Sequence, residues 1–332
     1  MNTHPNVDGI LVQWGERLFY PGNRIVRPAH TPRLSGSVGQ RAAAIRRHIH
    51  ATVVRRAPQV MVKVTGGGRG MAAIAAHFRY ISRNGQRPFE DDRGVVREGK
   101  DALHDLAEQW RYGGSFIDET SPRREAFNLM LSMPRGTDPL VVQRAAREFA
   151  KAELGEHRYV MVLHDHQANP HVHISVRAES QHGKRLNPRK ADLQRWRGTF
   201  AEKLRGWGIE AEATRQAARG AIRNYAAIWC VKAEADRHLT TPRATEKSGD
   251  GFMRSQALAI QAWARIIDGL SHSESPEDRA LAVRVDRFVR TTPFAVDHMR
   301  KRDRAKGQEP TYPVREMQRV VTKVRNDPEI ER

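Results

Sequence analysis

From Gln59 onward the chain alternates. Val60, Val62 and Val64 are each two residues apart, the period of a strand with one buried face. Gly66, Gly67, Gly68 and Gly70 then interrupt it, and Met71, Ile74, Phe78 and Ile81 return at helical spacing, which predicts a helix over about 71–84. The same reading predicts helices near 100–112 and over 139–154, and strands near 126–133, 158–164 and 171–177. A further helix is expected to start at Pro188, capped by Asn187. The last two strands are separated by so short a connection that they must pair antiparallel. The expected class is therefore α+β, a mainly antiparallel sheet with flanking helices packed on one face and an open polar cleft on the other.

The ends of the chain read differently. Residues 1–58 hold nine Lys or Arg against two acids, with Pro21, Pro28 and Pro32 in the middle, and are expected to form a mostly extended basic N-terminal arm closed by a short helix near 39–56. The run TPRATEKSGDG at 241–251 reads as a linker. Beyond it Ser275, Pro276 and Asp278 make a capping-box-like helix start, so residues 241–332 are expected to be a linker and a helical C-terminal region, leaving 59–240 as the main folded unit.

Charge narrows the partners. Lys plus Arg number 57 against 38 Asp plus Glu, a net +19, which points to a polyanion and above all to nucleic acid. Cys230 stands alone, which excludes an internal disulfide framework and a cysteine-based zinc cluster. The opening lacks a secretory pattern, and no stretch approaches the ~20 apolar residues of a membrane span, so no membrane insertion and a cytoplasmic location are expected.

The strongest chemical signal is HDHQANPHVHISV at 164–176. His171 and His173 lie two apart, with Val172, Ile174 and Val176 between and after them, so on a strand both imidazoles face one way and the aliphatic side chains the other. His164 ends the preceding apolar strand, and a turn containing Asn169 and Pro170 brings it back beside them. Three neutral nitrogens with positions left open suit a catalytic divalent ion. Asp165 and His166, between the ligands, are candidates to orient a ligand's second nitrogen or to take a proton from a nucleophile.

Tyr80 falls on nearly the opposite side of its helix from the Met71, Ile74, Phe78 and Ile81 stripe, with His77, Arg83 and Asn84 as polar neighbours. That leaves its hydroxyl available for chemistry, although Tyr112, Tyr159 and Tyr225 are rivals. The glycines before this helix lack the Lys-Ser/Thr ending of a nucleotide-binding loop and read equally as a turn that lets a DNA backbone approach or as a plain loop.

Taken together, Tyr80 in FRYISRNG, SMPRGTD at 132–138 and HDHQANPHVH at 164–173 resemble, in order, the three motifs of the P-type conjugative relaxases or mobilisation nucleases, especially their T-DNA border endonuclease branch. The likeness covers about residues 59–220, and the tyrosine precedes the histidines, the reverse of rolling-circle replication initiators. It implies a His-hydrophobic-His palm, a metal held by His164, His171 and His173, and Tyr80 attacking one phosphodiester at a transfer origin, leaving a 5′-phosphotyrosine adduct that is rejoined by reversal. Such proteins initiate conjugative or mobile-element transfer of single-stranded DNA with accessory relaxosome proteins and a type IV coupling protein, some being exported to a recipient cell bound to DNA. Mg or Mn is the ion the likeness implies, while imidazole donors by themselves suit Mn or Zn. Where many members read His-x-Asp, this chain reads His164, Asp165, His166, so His166 is a candidate for the aspartate's place.

For DNA contacts, residues 184–223 carry eleven Lys or Arg against four acids. Leu193, Trp196, Phe200, Leu204 and Trp207 form a helical stripe that reads as core, which leaves Lys184, Arg185, Arg189 and Lys190 as the phosphate candidates, with Arg83, Ser132 and Thr137 nearer the motifs. The alternatives are a rolling-circle replication initiator-like nuclease and a non-catalytic basic nucleic-acid-binding protein.

Overall fold

Six strands, β1 (Met61–Gly66), β2 (Phe89–Asp91), β3 (Val96–Arg97), β4 (Ala126–Ser132), β5 (His157–His164) and β6 (His171–Ser180), form one sheet in the order β1-β4-β6-β5-β2-β3. Every neighbouring pair is antiparallel. The computed structural model describes residues 6–20, 34–166, 169–223 and 246–305. The α+β class expected from the alternation holds. The short β2 and β3 hairpin has three and two residues, too few to show a period, and escaped the sequence reading.

Both faces of the sheet are covered, and this corrects the expectation of helices on one face alone. On one face Val172, Ile174 and Val176 of β6 and Leu129 and Leu131 of β4 pack on α5 (Pro139–Leu154) and α6 (Lys190–Gly206), with Phe149, Trp196 and Phe200 fully buried. On the other, Ala126, Val160 and Val162 give α3 (Met71–Ile81) and α4 (Lys100–Tyr112) an apolar floor, where Phe78 and Trp110 meet edge to face at 4.9 Å. Each such aromatic is worth about 1.5–3 kcal/mol of burial. The polar site occupies the part of this second face that α3 borders.

Element ends shift for local reasons. Helix α3 stops at Ile81 and not at 84, because Arg83 and Asn84 take left-handed φ of 51° and 57°. Helix α6 starts at Lys190, with the main chain of Arg189 bonded to the Asp192 carboxylate, so Asn187 and Pro188 lie outside it. The glycine run is taken up by this chain's own backbone. A Cβ on Gly70 would meet Glu119 O at 2.3 Å, and Gly68 N donates to Ala126 O at 3.1 Å, so at these positions the glycines admit the chain's own backbone.

The extended-arm reading fails for the described part of residues 1–58. Val7–Phe19 is a helix (α1) and Val38–Ile49 another (α2), continued by a π-turn at His50–Val54. Leu11, Leu18, Ile45 and Ile49 pack against Trp263, Ile266, Leu281 and Val285 from α7 (Asp250–Ser271) and α8 (Pro276–Arg290), which a last helix, α9 (Pro293–Ala305), follows. Arg46 bridges the two ends of the chain, donating to Asp8 at 2.8 Å and to Asp278 at 2.7 Å. Ser275 caps α8 through Asp278 N, as its sequence suggests. Asp250 already belongs to α7, so the expected linker is shorter than 241–251. Residues 241–245, Cys230, Tyr225 and the prolines at 21, 28 and 32 lie outside the described residues. No described helix is long and apolar enough to cross a membrane.

Candidate active site

Strand pairing assembles the three histidines. His164, the last residue of β5, is the direct cross-strand partner of His171, the first of β6, and His173 lies two residues further on, opposite Val162. Their ring centroids stand 5.1 Å (164–171), 4.7 Å (164–173) and 5.0 Å (171–173) apart. One nitrogen from each lies within 4.8 Å of the others, and all three side chains are buried. Among the described residues this is the grouping of metal-ligating side chains suited to an ion.

Tautomers follow from the outer partners. His164 Nε2–H donates to Ile81 O at the end of α3 (2.7 Å), which leaves Nδ1 for a ligand, and His171 Nδ1–H donates to Asn169 O (2.9 Å), which leaves Nε2. Burial lowers the pKa of His164, against the effect of its bond to Ile81, and burial first and then the neighbouring imidazoles push His173 down to about 3. His164 and His173 are thus pushed toward the neutral form, the state in which imidazole binds a cation. The donor set and its outer-shell bonds fit a divalent ion.

Tyr80 comes to the same place. Its side chain is 68% exposed, and its ring lies 6.3 Å from His173 and 6.0 Å from His77. His77, which the sequence showed as a polar neighbour and no more, also reaches His173 at 6.3 Å, and burial pushes it down to about 4. The Nε2 of His77 and the Nδ1 of His173 are both buried without a hydrogen-bond partner.

Arg87 was not singled out in the sequence, yet it organises the segment between His164 and His171. It donates to Leu163 O (3.2 Å), to Asp165 (2.9 Å) and to His166 Nδ1 (3.1 Å). Its guanidinium holds Asp165 below the usual carboxylate range. Burial, then Arg83 and Arg87, lower His166. With Nδ1 accepting from Arg87, the neutral His166 ring carries its proton on Nε2 and faces other groups as a donor. Main-chain carbonyls, and neither Asp165 nor His166, hold the second nitrogens of His164 and His171.

The second motif lies under the histidines. Ser132, buried opposite His171 on the β4 side, donates to Pro170 O (3.2 Å), and Arg135 N donates to Asn169 Oδ1 (2.9 Å), so this segment braces the turn that carries His171. Thr137 Oγ1 donates to Pro134 O, and Asp138 caps α5. Arg83 is exposed beside Tyr80. Lys184 and Arg185 fold back beside Ser180 and Glu179 at the far end of β6, about 30 Å from His171 by strand rise. There Arg185 is tied to Glu125 (3.2 Å) and Glu179 (3.4 Å), while Lys184, Arg189 and Lys190 are exposed. Trp196, Phe200 and Leu204 are core as read, whereas Trp207 is 43% exposed and donates to Glu148.

Residues 93–209 match the family model of relaxases, MobA/VirD2-like, nuclease domain. The matched stretch holds the SMPRGTD segment and all three histidines and begins after Tyr80. The T-DNA border endonuclease VirD2 of Rhizobium radiobacter is 26% identical over 184 residues, which is 49% of this chain and 43% of that protein. The similarity therefore spans less than half the length of that relative.

Proposed function

We propose that this chain, whose nuclease domain belongs to the MobA/VirD2-like relaxase family, nicks one DNA strand at a transfer origin by tyrosine transesterification. The observation that carries the reading is the exposed phenol of Tyr80 beside a buried three-histidine cluster, 6.3 Å from His173 ring to ring. Tyr80 Oη forms a bond to phosphorus as the P–O3′ bond breaks. The exposed hydroxyl gives its proton to water, water returns one to the departing O3′, and the 5′ end stays on the tyrosine. Because the phosphotyrosine ester conserves the bond, attack by the O3′ hydroxyl reverses the step and rejoins the strand.

His164, His171 and His173 would hold Mg, Mn or Zn, and the bound ion supplies polarisation of the scissile phosphate. His166 presents Nε2–H to a phosphate oxygen, with Asp165 and Arg87 fixing its ring. Arg83, Lys184, Arg189 and Lys190 contact phosphates of the single strand, while Ser132 and Thr137 shape the turn beneath it. We place the catalytic unit at residues 59–240. Its setting is initiation of conjugative or mobile-element transfer from the cytoplasm, with accessory relaxosome proteins and a type IV coupling protein as partners. The test is incubation with Mn²⁺ and a labelled oligonucleotide spanning the element's transfer origin. A covalent protein–DNA adduct is expected that disappears with EDTA, in His171→Ala and in Tyr80→Phe, and nicking that survives EDTA and His171→Ala overturns the metal role.

A further inference from the structure

Two of the three clustered histidines have their outer nitrogen fixed by a main-chain carbonyl: His164 by Ile81 and His171 by Asn169. The third does not. His173 Nδ1 is buried without a partner, and so, next to it, is His77 Nε2. A buried donor and a buried acceptor left unsatisfied each cost free energy, and the cost falls away when they satisfy each other. The rings meet edge-on, 76° between planes, with centroids 6.3 Å apart. Imidazoles joined by an N–H···N bond have centroids about 5 Å apart, so a small side-chain rotation, or one bridging water, closes the gap.

We propose that His77 is a positioning residue whose Nε2 accepts the Nδ1–H of His173, fixing the tautomer and ring plane that turn His173 Nε2 toward the other two histidines. This rests on the metal-site reading above. It also gives helix α3 a second role, since His77 lies one turn before Tyr80 and its ring stacks on the tyrosine at 6.0 Å, 30° between planes. The residue that aligns the third ligand is thereby carried on the same rigid turn as the nucleophile. A neutral His77 suits this role, because the protonated ring has no lone pair to offer.

The test compares His77→Phe, which keeps a ring and loses the acceptor, with His77→Gln, whose Oε1 can stand near the position of Nε2. Both are checked for folding by circular dichroism. In the metal-free protein, ¹⁵N-edited NMR of the imidazoles is expected to show His173 in the Nδ1–H form in the wild type and in His77→Gln, and a mixture of tautomers in His77→Phe. With Mn²⁺ as the probe, calorimetry is expected to show a Kd weakened by about 10–100-fold in His77→Phe and substantially restored in His77→Gln. An unchanged His173 tautomer in His77→Phe, with Mn²⁺ affinity within about threefold of wild type, overturns the proposal. If His171→Ala leaves Mn²⁺ binding unaltered, the metal reading itself fails, and the metal-free tautomer populations still decide the role of His77.

Discussion

The two ends of β6 are both polar, and they are built on opposite principles. At the far end the buried and half-buried charged groups are given hydrogen-bond partners. Arg177 donates to the carbonyls of Trp110 (2.6 Å), Gly113 and Ser115, and Glu125 is shared by Arg123, Ser121 and Arg185. At the near end sit buried imidazoles, an exposed phenol, and two buried ring nitrogens with no partner. Saturated charge clusters hold a fold together, whereas polar atoms left without partners in a native structure call for a functional account.

The sharpest way to break this contrast is to remove the proposed nucleophile. Tyr80→Phe should lower adduct formation by at least about 10³-fold with no loss of folding, as read on denaturing gels. Equal loss in Tyr112→Phe, whose side chain is also exposed, would blur the distinction between the ends. Next in size, His171→Ala should weaken Mn²⁺ binding by more than about 100-fold, since even the outer support of a ligand is commonly worth 10–100-fold.

The far end should respond in stability instead. Glu125→Ala leaves Arg185 and Arg123 without their shared carboxylate and should cost about 1–3 kcal/mol in urea unfolding, with nicking per folded molecule unchanged. Burial raises the Glu125 pKa, but hydrogen bonds from Arg123 and Ser121 and the Arg185 charge outweigh it, leaving the group below its usual 4.5. Asp278, held by Arg46, is likewise below 3.8. For a lowered carboxylate the stabilisation is full above the unfolded pKa and is lost as pH falls through the folded value. Thermal stability should therefore drop below about pH 4.5, and Glu125→Gln should flatten that drop. The smallest effect is expected at Lys184→Ala, which should reduce the salt dependence of single-strand binding by about one unit of slope and leave nicking at low salt unchanged.

The sequence displayed the near end's candidate ligands because a strand turns them into a pattern: His171 and His173 share a face, and the short turn at Asn169–Pro170 fixes where His164 must be. The α6 side of the core was equally visible in the periodicity of Leu193, Trp196, Phe200 and Leu204. Arg87 and the partners of Arg185 were not, because an arginine's pairing depends on residues tens of positions away. Arg87 meets Asp165 across 78 residues, and Arg185 meets Glu125 across 60. Helix α1 escaped notice for a related reason, since its apolar stripe finds its partners in α7, at the other end of the chain. His77 left one trace, its place one turn before Tyr80, and nothing local said that β6 would bring His173 to meet it.

The decisive measurement is to map the covalent link. After reaction with an origin oligonucleotide, nuclease trimming and trypsin digestion, mass spectrometry should find the residual nucleotide on the peptide Tyr80–Arg83, joined through its 5′ phosphate. A nucleotide found instead on a peptide containing Tyr112, Tyr159 or Tyr225, or strand cleavage with no protein-linked product, would contradict the pairing of Tyr80 with the histidine cluster on which the account is built.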